Sequence, residues 1–221
     1  TIATAIKKLN KEYNNVLSST SAKEMAKYKS VVNEKVNEIS AIIKKCQKSL
    51  KEMAARTKEL KDEETKKFGS GGSGAVVRIR EQQHVQLSRE FMDVMQDYQE
   101  LQERYKDNYK DRMVRSIKSA NSDVTEEEVQ QMLQKPNLNP TDVFNADMLT
   151  DSQKHTVDAL YAEVSETHKD ILKLEVSLRE LHQLFVDFAA LVDAQDEMLD
   201  NIEANVMNAR AYIDQGIENL K

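Results

Sequence analysis

The sequence predicts an all-α protein: an antiparallel three-helix bundle, a linker, and a long last helix. That last helix is expected to coil with helices of other chains. Three observations carry the prediction. The composition is 32% charged, 39% hydrophobic and 5% aromatic, with five Gly and two Pro in 221 residues, which suits long helices with one apolar stripe and solvated outer faces. Apolar residues recur in steps of three and four, with no convincing period-two stretch. The helix-breaking residues cluster at a few places and leave long uninterrupted runs between them.

The first helix is read to about Leu17, with Ile2, Ile6, Leu9, Tyr13 and Val16 on one face. Ser18–Ser21 then form a turn, and Ser21 with Glu24 has the spacing of a capping box. The second stripe is Met25, Tyr28, Val32, Val36, Ile39, Ile43, Cys46, Leu50 and Met53, running past Leu60 until Gly/Ser residues 69–74 break it. That loop is either an engineered graft or a natural flexible connection, and both readings stay open. The third helix begins near Ala75. Its stripe is Leu87, Phe91, Val94, Tyr98, Leu101, Tyr105, Tyr109, Met113 and Ile117, and the heptad spacing of its tyrosines favours core packing over a binding surface. Each of these helices is expected to be about 40–60 Å long.

Residues 1–120 are thus one helical domain and 121–150 a linker. Thr125 with Glu128 offers a second capping box for a short helix through about Leu133. Pro136 and Pro140 prevent its continuation. The last helix is expected from Thr150 or Asp151, giving a final unit of residues 151–221.

That helix carries the most regular pattern in the chain. Ile171, Leu174, Leu178, Leu181, Phe185, Phe188, Val192, Gln195, Leu199, Ile202, Val206, Ala209, Ile213, Gly216 and Leu220 alternate by three and four without a break. Such a register is built for a left-handed supercoil and spans about 75 Å. Three shorter helices cannot cover all of it, so other chains are expected to. Gln195 interrupts the seam at its centre. It is either a tolerated polar residue or a register device, because a buried amide favours the alignment that gives it a partner.

Charge and chemistry exclude several classes. Residues 1–70 hold 16 Lys/Arg against 9 Asp/Glu, residues 71–150 hold 10 against 14, and residues 151–221 hold 6 against 15. A basic first third and an acidic last third attract each other within one molecule. The lysines of 44–67 lack interleaved aromatics, which argues against nucleic-acid binding. The single Cys46 excludes an internal disulfide and reads as an inert thiol on the apolar face. His84, His155, His168 and His182 have no metal-ligand spacing, and His155 and His168 are read on solvated faces. Acidic pairs such as Asp196–Glu197 read as solvated charge. No Gly-rich phosphate loop follows a strand, so neither a catalytic site nor a cofactor is expected.

Two segments resemble the syntaxins, the Qa-SNARE family. Arg78-Ile-Arg-Glu-Gln-Gln-His-Val-Gln-Leu-Ser-Arg-Glu-Phe91 is similar to the start of the family's third regulatory helix. Ile171-Leu-Lys-Leu-Glu-Val-Ser-Leu-Arg-Glu-Leu-His182, continuing through Leu191 and Gln195 to Glu203, is similar to its SNARE motif. The resemblance covers essentially the whole chain and fits the plasma-membrane, exocytic branch best. It implies that Gln195 is the central layer of a fusion complex and that the other seam residues are its packing layers. It implies assembly with a vesicle R-SNARE of the synaptobrevin type and a SNAP-type Qbc-SNARE. It further implies regulation by an SM-family (Sec/Munc-type) protein and a closed form covered by the N-terminal helices. The full-length protein would sit on the cytoplasmic face of the plasma membrane, anchored by a C-terminal helix that this chain lacks, so the chain reads as a soluble fragment. One departure concerns closure: the family's Leu-Glu pair in the linker helix is matched by Leu133 and Gln134, and the charge is lost. The alternatives to this reading are a lipid-binding helical module, whose lysines would gather on one face of residues 44–67, and a structural coiled-coil scaffold that forms homo-oligomers without partners.

Overall fold

The computed structural model describes residues 1–19, 21–68, 74–120, 124–139 and 158–189. Four helices are α1 (Ile2–Ser18), α2 (Ala22–Phe68), α3 (Ala75–Ala120) and α4 (Glu126–Gln134). A fifth, α5, covers residues 158–189. No strand occurs among the described residues. The expected start of the last helix near Thr150, and everything beyond residue 189, lie outside them.

Helix α1 buries Ala5, Ile6, Leu9, Tyr13 and Val16, the face its period predicts. The Met25 N–H bonds the Ser21 carbonyl as α2 begins. At α4 both halves of the capping box form. Glu128 N–H donates to Thr125 Oγ1 at 3.3 Å, and Thr125 N–H donates to Glu128 Oε2 at 2.9 Å. The second of these bonds, with a contribution from the Thr125 hydroxyl, holds the Glu128 carboxyl below the usual carboxylate range. The α2–α3 hairpin is closed by Glu64, which accepts the Gly74 N–H at 2.7 Å and so takes up a free donor at the start of α3.

Helices α2 and α3 have 47 and 46 residues, about 70 Å each. They exceed the expected 40–60 Å because neither contains a breaker. This length makes the hairpin a scaffold nearly as long as the apolar seam expected from the sequence of residues 171–220. Helix α1 has 17 residues and covers only part of it.

The third helix departs from the sequence reading by one residue at two of its nine stripe positions. Leu87 is 46% exposed while Ser88 is fully buried. Likewise Met95 is core and Val94 only packs against it. The inward stripe runs through Val77, Glu81, His84, Ser88, Phe91, Met95 and Tyr98, so polar residues hold three of its positions. The far end of the hairpin has a correspondingly polar interior. His84, 1% exposed, lies with Nε2 2.9 Å from the Leu50 carbonyl, and Lys61 pairs with Glu81 at 3.0 Å.

Tyrosines fill the middle of the bundle. Tyr13 stacks on Tyr105 with centroids 3.4 Å apart, and the Tyr105 hydroxyl donates to the Asn10 carbonyl and Asn14 Oδ1. Burial pushes the Tyr98 and Tyr105 phenols up to about 12 and raises those of Tyr13 and Tyr109 as well, with neighbouring phenols and Asp170 adding to the effect. Below about pH 10 these phenols are protonated whether the chain is folded or not. Above it the unfolded chain releases protons that the folded chain retains, so stability falls as pH rises. Alkaline titration is therefore expected to unfold the bundle cooperatively above pH 10, helical circular dichroism falling together with the rise of tyrosinate absorbance. Independent tyrosine ionisation near pH 10 without loss of helix would contradict this packing.

Candidate partner-binding seam and its cover

Helix α5 lies lengthwise on the hairpin. Arg112 Nε and Nη2 both donate to Glu163 Oε1, at 3.1 and 2.9 Å, and Phe188 meets Phe91 with centroids 4.9 Å apart. Going up α5 therefore means going down α3. Against α2 the direction is the same: Lys29 meets Glu166 and Asp170, while Val32 and Val36 share a cavity wall with Leu174 and Ser177. Antiparallel to α3 and parallel to α2, α5 completes a four-helix arrangement.

The seam faces this groove. Ile171, Leu174, Leu181 and Phe188 are buried in the same core as Leu9, Ile39, Tyr98 and Met113. Leu178 is half-buried, and Phe185 packs against the core from its edge. The remaining seam positions Val192, Gln195, Leu199, Ile202, Val206, Ala209, Ile213, Gly216 and Leu220 lie outside the described residues. In the linker, Leu133 packs partly buried against the core and Gln134 is exposed.

The buried face also extends upstream of the predicted seam, through Val164, Thr167 and His168 at 0%, 4% and 2% exposure. His168 was expected on a solvated face. It lies three residues before Ile171, on the inward side of the helix, and its Nε2 is 3.3 Å from the Leu133 carbonyl. His182 is exposed, and His155 lies outside the described residues. The signal for the extension was present in the 3-4 spacing of 164, 167 and 171. Two polar residues disguised it.

Electrostatics reinforce the docking where the charge asymmetry predicted. Lys29, from the basic first third, reaches Asp170 at 2.8 Å and Glu166 at 3.1 Å, with side-chain exposures of 11% for Lys29 and 16% for Asp170. The Lys29–Asp170 pair is thus shielded from water and screened less than a surface pair, whereas Glu166 is 61% exposed. Beside them is a cavity of about 60 Å³, lined by Tyr13, Lys29, Gln102, Tyr109, Asp170 and Ser177 among others. All three bundle helices and α5 contribute to its wall. Lys29→Ala is expected to weaken α5 docking by about 1.5–3 kcal/mol, the usual value of hydrogen bonds to charged groups. Spin-label distances between α2 and α5 would read this as a larger undocked fraction. An unchanged distance distribution would leave the pair without a role in docking.

Among the described residues no group of His, Cys, Asp and Glu could hold a metal ion, and no helix is long and apolar enough to cross a membrane. Cys46 is half-buried against the core. The arrangement instead offers a long apolar seam, covered through residue 188 by the chain's own helices.

Comparison with known proteins agrees with this geometry. The Syntaxin family model matches residues 1–147 and the SNARE domain model matches residues 162–221. Among solved structures, the chain is similar to one in the crystal structure of the Unc18-syntaxin 1 complex from Monosiga brevicollis. Identity is 29% over 93% of this chain and 81% of that one, with a TM-score of 0.64. With an N-terminal helical bundle, a docked seam helix and both family signatures in the expected order, this chain belongs to the syntaxin family.

Proposed function

We propose that this chain is a Qa-SNARE of the exocytic branch that drives vesicle docking and membrane fusion by coiled-coil assembly, and that its N-terminal helices restrain it. The observation that carries the reading is the double use of one surface. Ile171, Leu174, Leu181 and Phe188 are seam positions that partner helices would need, and they are buried in the core of the chain's own bundle. The two coverings exclude each other. A protein that prefers one of them shifts the population toward it.

In this reading residues 1–120 are the regulatory domain, 121–150 the linker and 151–221 the SNARE motif. Gln195 is the central polar layer. The partners are a vesicle R-SNARE of the synaptobrevin type, a SNAP-type Qbc-SNARE and an SM-family protein. The solved complex of a similar chain bears the name of an Unc18–syntaxin pair, which supports the last of these. The full-length protein acts at the cytoplasmic face of the plasma membrane.

Mixing residues 150–221 with R-SNARE and SNAP-type helices is expected to give a heat-resistant four-helix complex, visible as a new high-temperature melting transition. Replacing Gln195 by Leu should leave the complex stable but loosen its register, read by cross-linking of matched layer positions. Absence of any complex would sink the proposal.

A further inference from the structure

We propose that Tyr161 and His168 form a latch that holds the linker on α5, and that they set the closed population without belonging to the partner-binding seam. This rests on the autoinhibited reading above and assigns it residues.

Both side chains reach across to backbone. The Tyr161 hydroxyl donates to the Leu138 carbonyl at 2.6 Å. His168 Nε2 lies 3.3 Å from the Leu133 carbonyl, and since a carbonyl only accepts, the imidazole must carry its proton on Nε2. Leu133 is the next-to-last residue of α4, where carbonyls have no partner within the helix. His168 therefore takes up one of the free acceptors at the end of the linker helix, while the Lys135 N–H takes up the Met132 carbonyl. Between and beside these bonds Val129, Met132 and Leu138 are buried in the same core as Val164 and Ile171. The linker is thus pinned at two points, Leu133 and Leu138, with its apolar face closed over α5.

Two consequences set this latch apart from general packing. First, it reads backbone and not side chains of the linker. Any residue at position 134 presents the same backbone, and the Gln134 side chain points to solvent. The loss of the family's charged residue there leaves both bonds in place. Second, Tyr161 and His168 precede Ile171, the first position of the seam. Partner helices covering the seam from Ile171 onward leave both side chains outside the layers. Substituting them should release the linker, and with it α5, without weakening the assembled complex.

The test uses the full 221-residue chain carrying Tyr161→Phe, His168→Met or His168→Gln. The first two remove a donor with little change of volume, and the third keeps an N–H near the Nε2 position. Tyr161→Phe and His168→Met are each expected to raise the rate of assembly with R-SNARE and SNAP-type helices about three- to tenfold. Amide exchange in residues 126–134 should speed up by a similar factor. His168→Gln should stay within about twofold of the parent, and all three should leave the melting temperature of the assembled complex unchanged. Unchanged assembly and exchange rates in both donor-deleting variants would overturn the latch. So would a parallel drop in the melting temperature of the assembled complex, because that places the residues inside the partner bundle. If the latch variants are silent while Phe91→Ala accelerates assembly, only the latch falls. If Phe91→Ala is silent too, the autoinhibited reading falls with it.

Discussion

Removal of residues 1–120 is expected to accelerate SNARE assembly by roughly a hundredfold. The estimate comes from what α5 gains by docking. Four seam side chains, Ile171, Leu174, Leu181 and Phe188, are at most 7% exposed, and each buried side chain of this size contributes about 1.5–3 kcal/mol. Ordering the helix and tying down its flanking linker offset most of that sum. A net preference of a few kcal/mol leaves a minor open state of about 0.1–10%, and partner helices bind only that fraction. Stopped-flow fluorescence with labelled partner helices measures the rate directly. A rate within twofold of the full chain would mean that the bundle does not compete for the seam.

Phe91→Ala is expected to have the second-largest effect, and it is the sharper probe. Phe91 is 7% exposed, and its ring meets Phe188 at 4.9 Å near the far end of the described part of α5. Met92, Met95, Leu184 and Phe185 complete that contact. Truncating a buried Phe to Ala typically costs about 3–5 kcal/mol. Part of this falls on the α2–α3 hairpin itself and part on docking, so assembly should speed up by about tenfold or more. Because Phe91 lies in α3 and not in the SNARE motif, the assembled complex should melt as before. Faster assembly with an unchanged complex identifies competition. A loss of helical signal in the free chain without faster assembly would assign Phe91 to bundle stability alone.

The fold was legible because helices announce themselves through period, and this chain keeps its period over long stretches. Ile171, Leu174, Leu181 and Phe188 are buried where the unbroken 3-4 alternation places an inward face, and Leu178 and Phe185 are half-buried beside them. The errors have a common cause. Ser88 and His168 are polar residues at inward positions, and a hydrophobicity pattern assigns such residues to water. Ser88 displaced the α3 register by one residue toward Leu87. His168 hid the upstream extension of the buried face, because its burial depends on a carbonyl 35 residues earlier in the chain. Bonds of that kind are set by tertiary approach and leave no periodic trace. The length of α2 and α3 was underestimated because lysine- and glutamate-rich turns carry little apolar signal, although nothing in them stops a helix. The charge split between the chain's ends, by contrast, pointed correctly to the Lys29 contacts with Glu166 and Asp170.

The lengthwise lie of α5 has a mechanical consequence. A helix laid along a groove comes away by peeling, one turn at a time, whereas a helix crossing its support must break all its contacts at once. A pull on the C-terminal side of α5, the direction in which the chain continues toward a bilayer in the proposed function, loads the Phe188–Phe91 contact first. The polar pairs of Glu163, Glu166 and Asp170 then yield last. Release becomes a staircase of small barriers in place of one large one. Tension on that side would then open the chain stepwise from the apolar end.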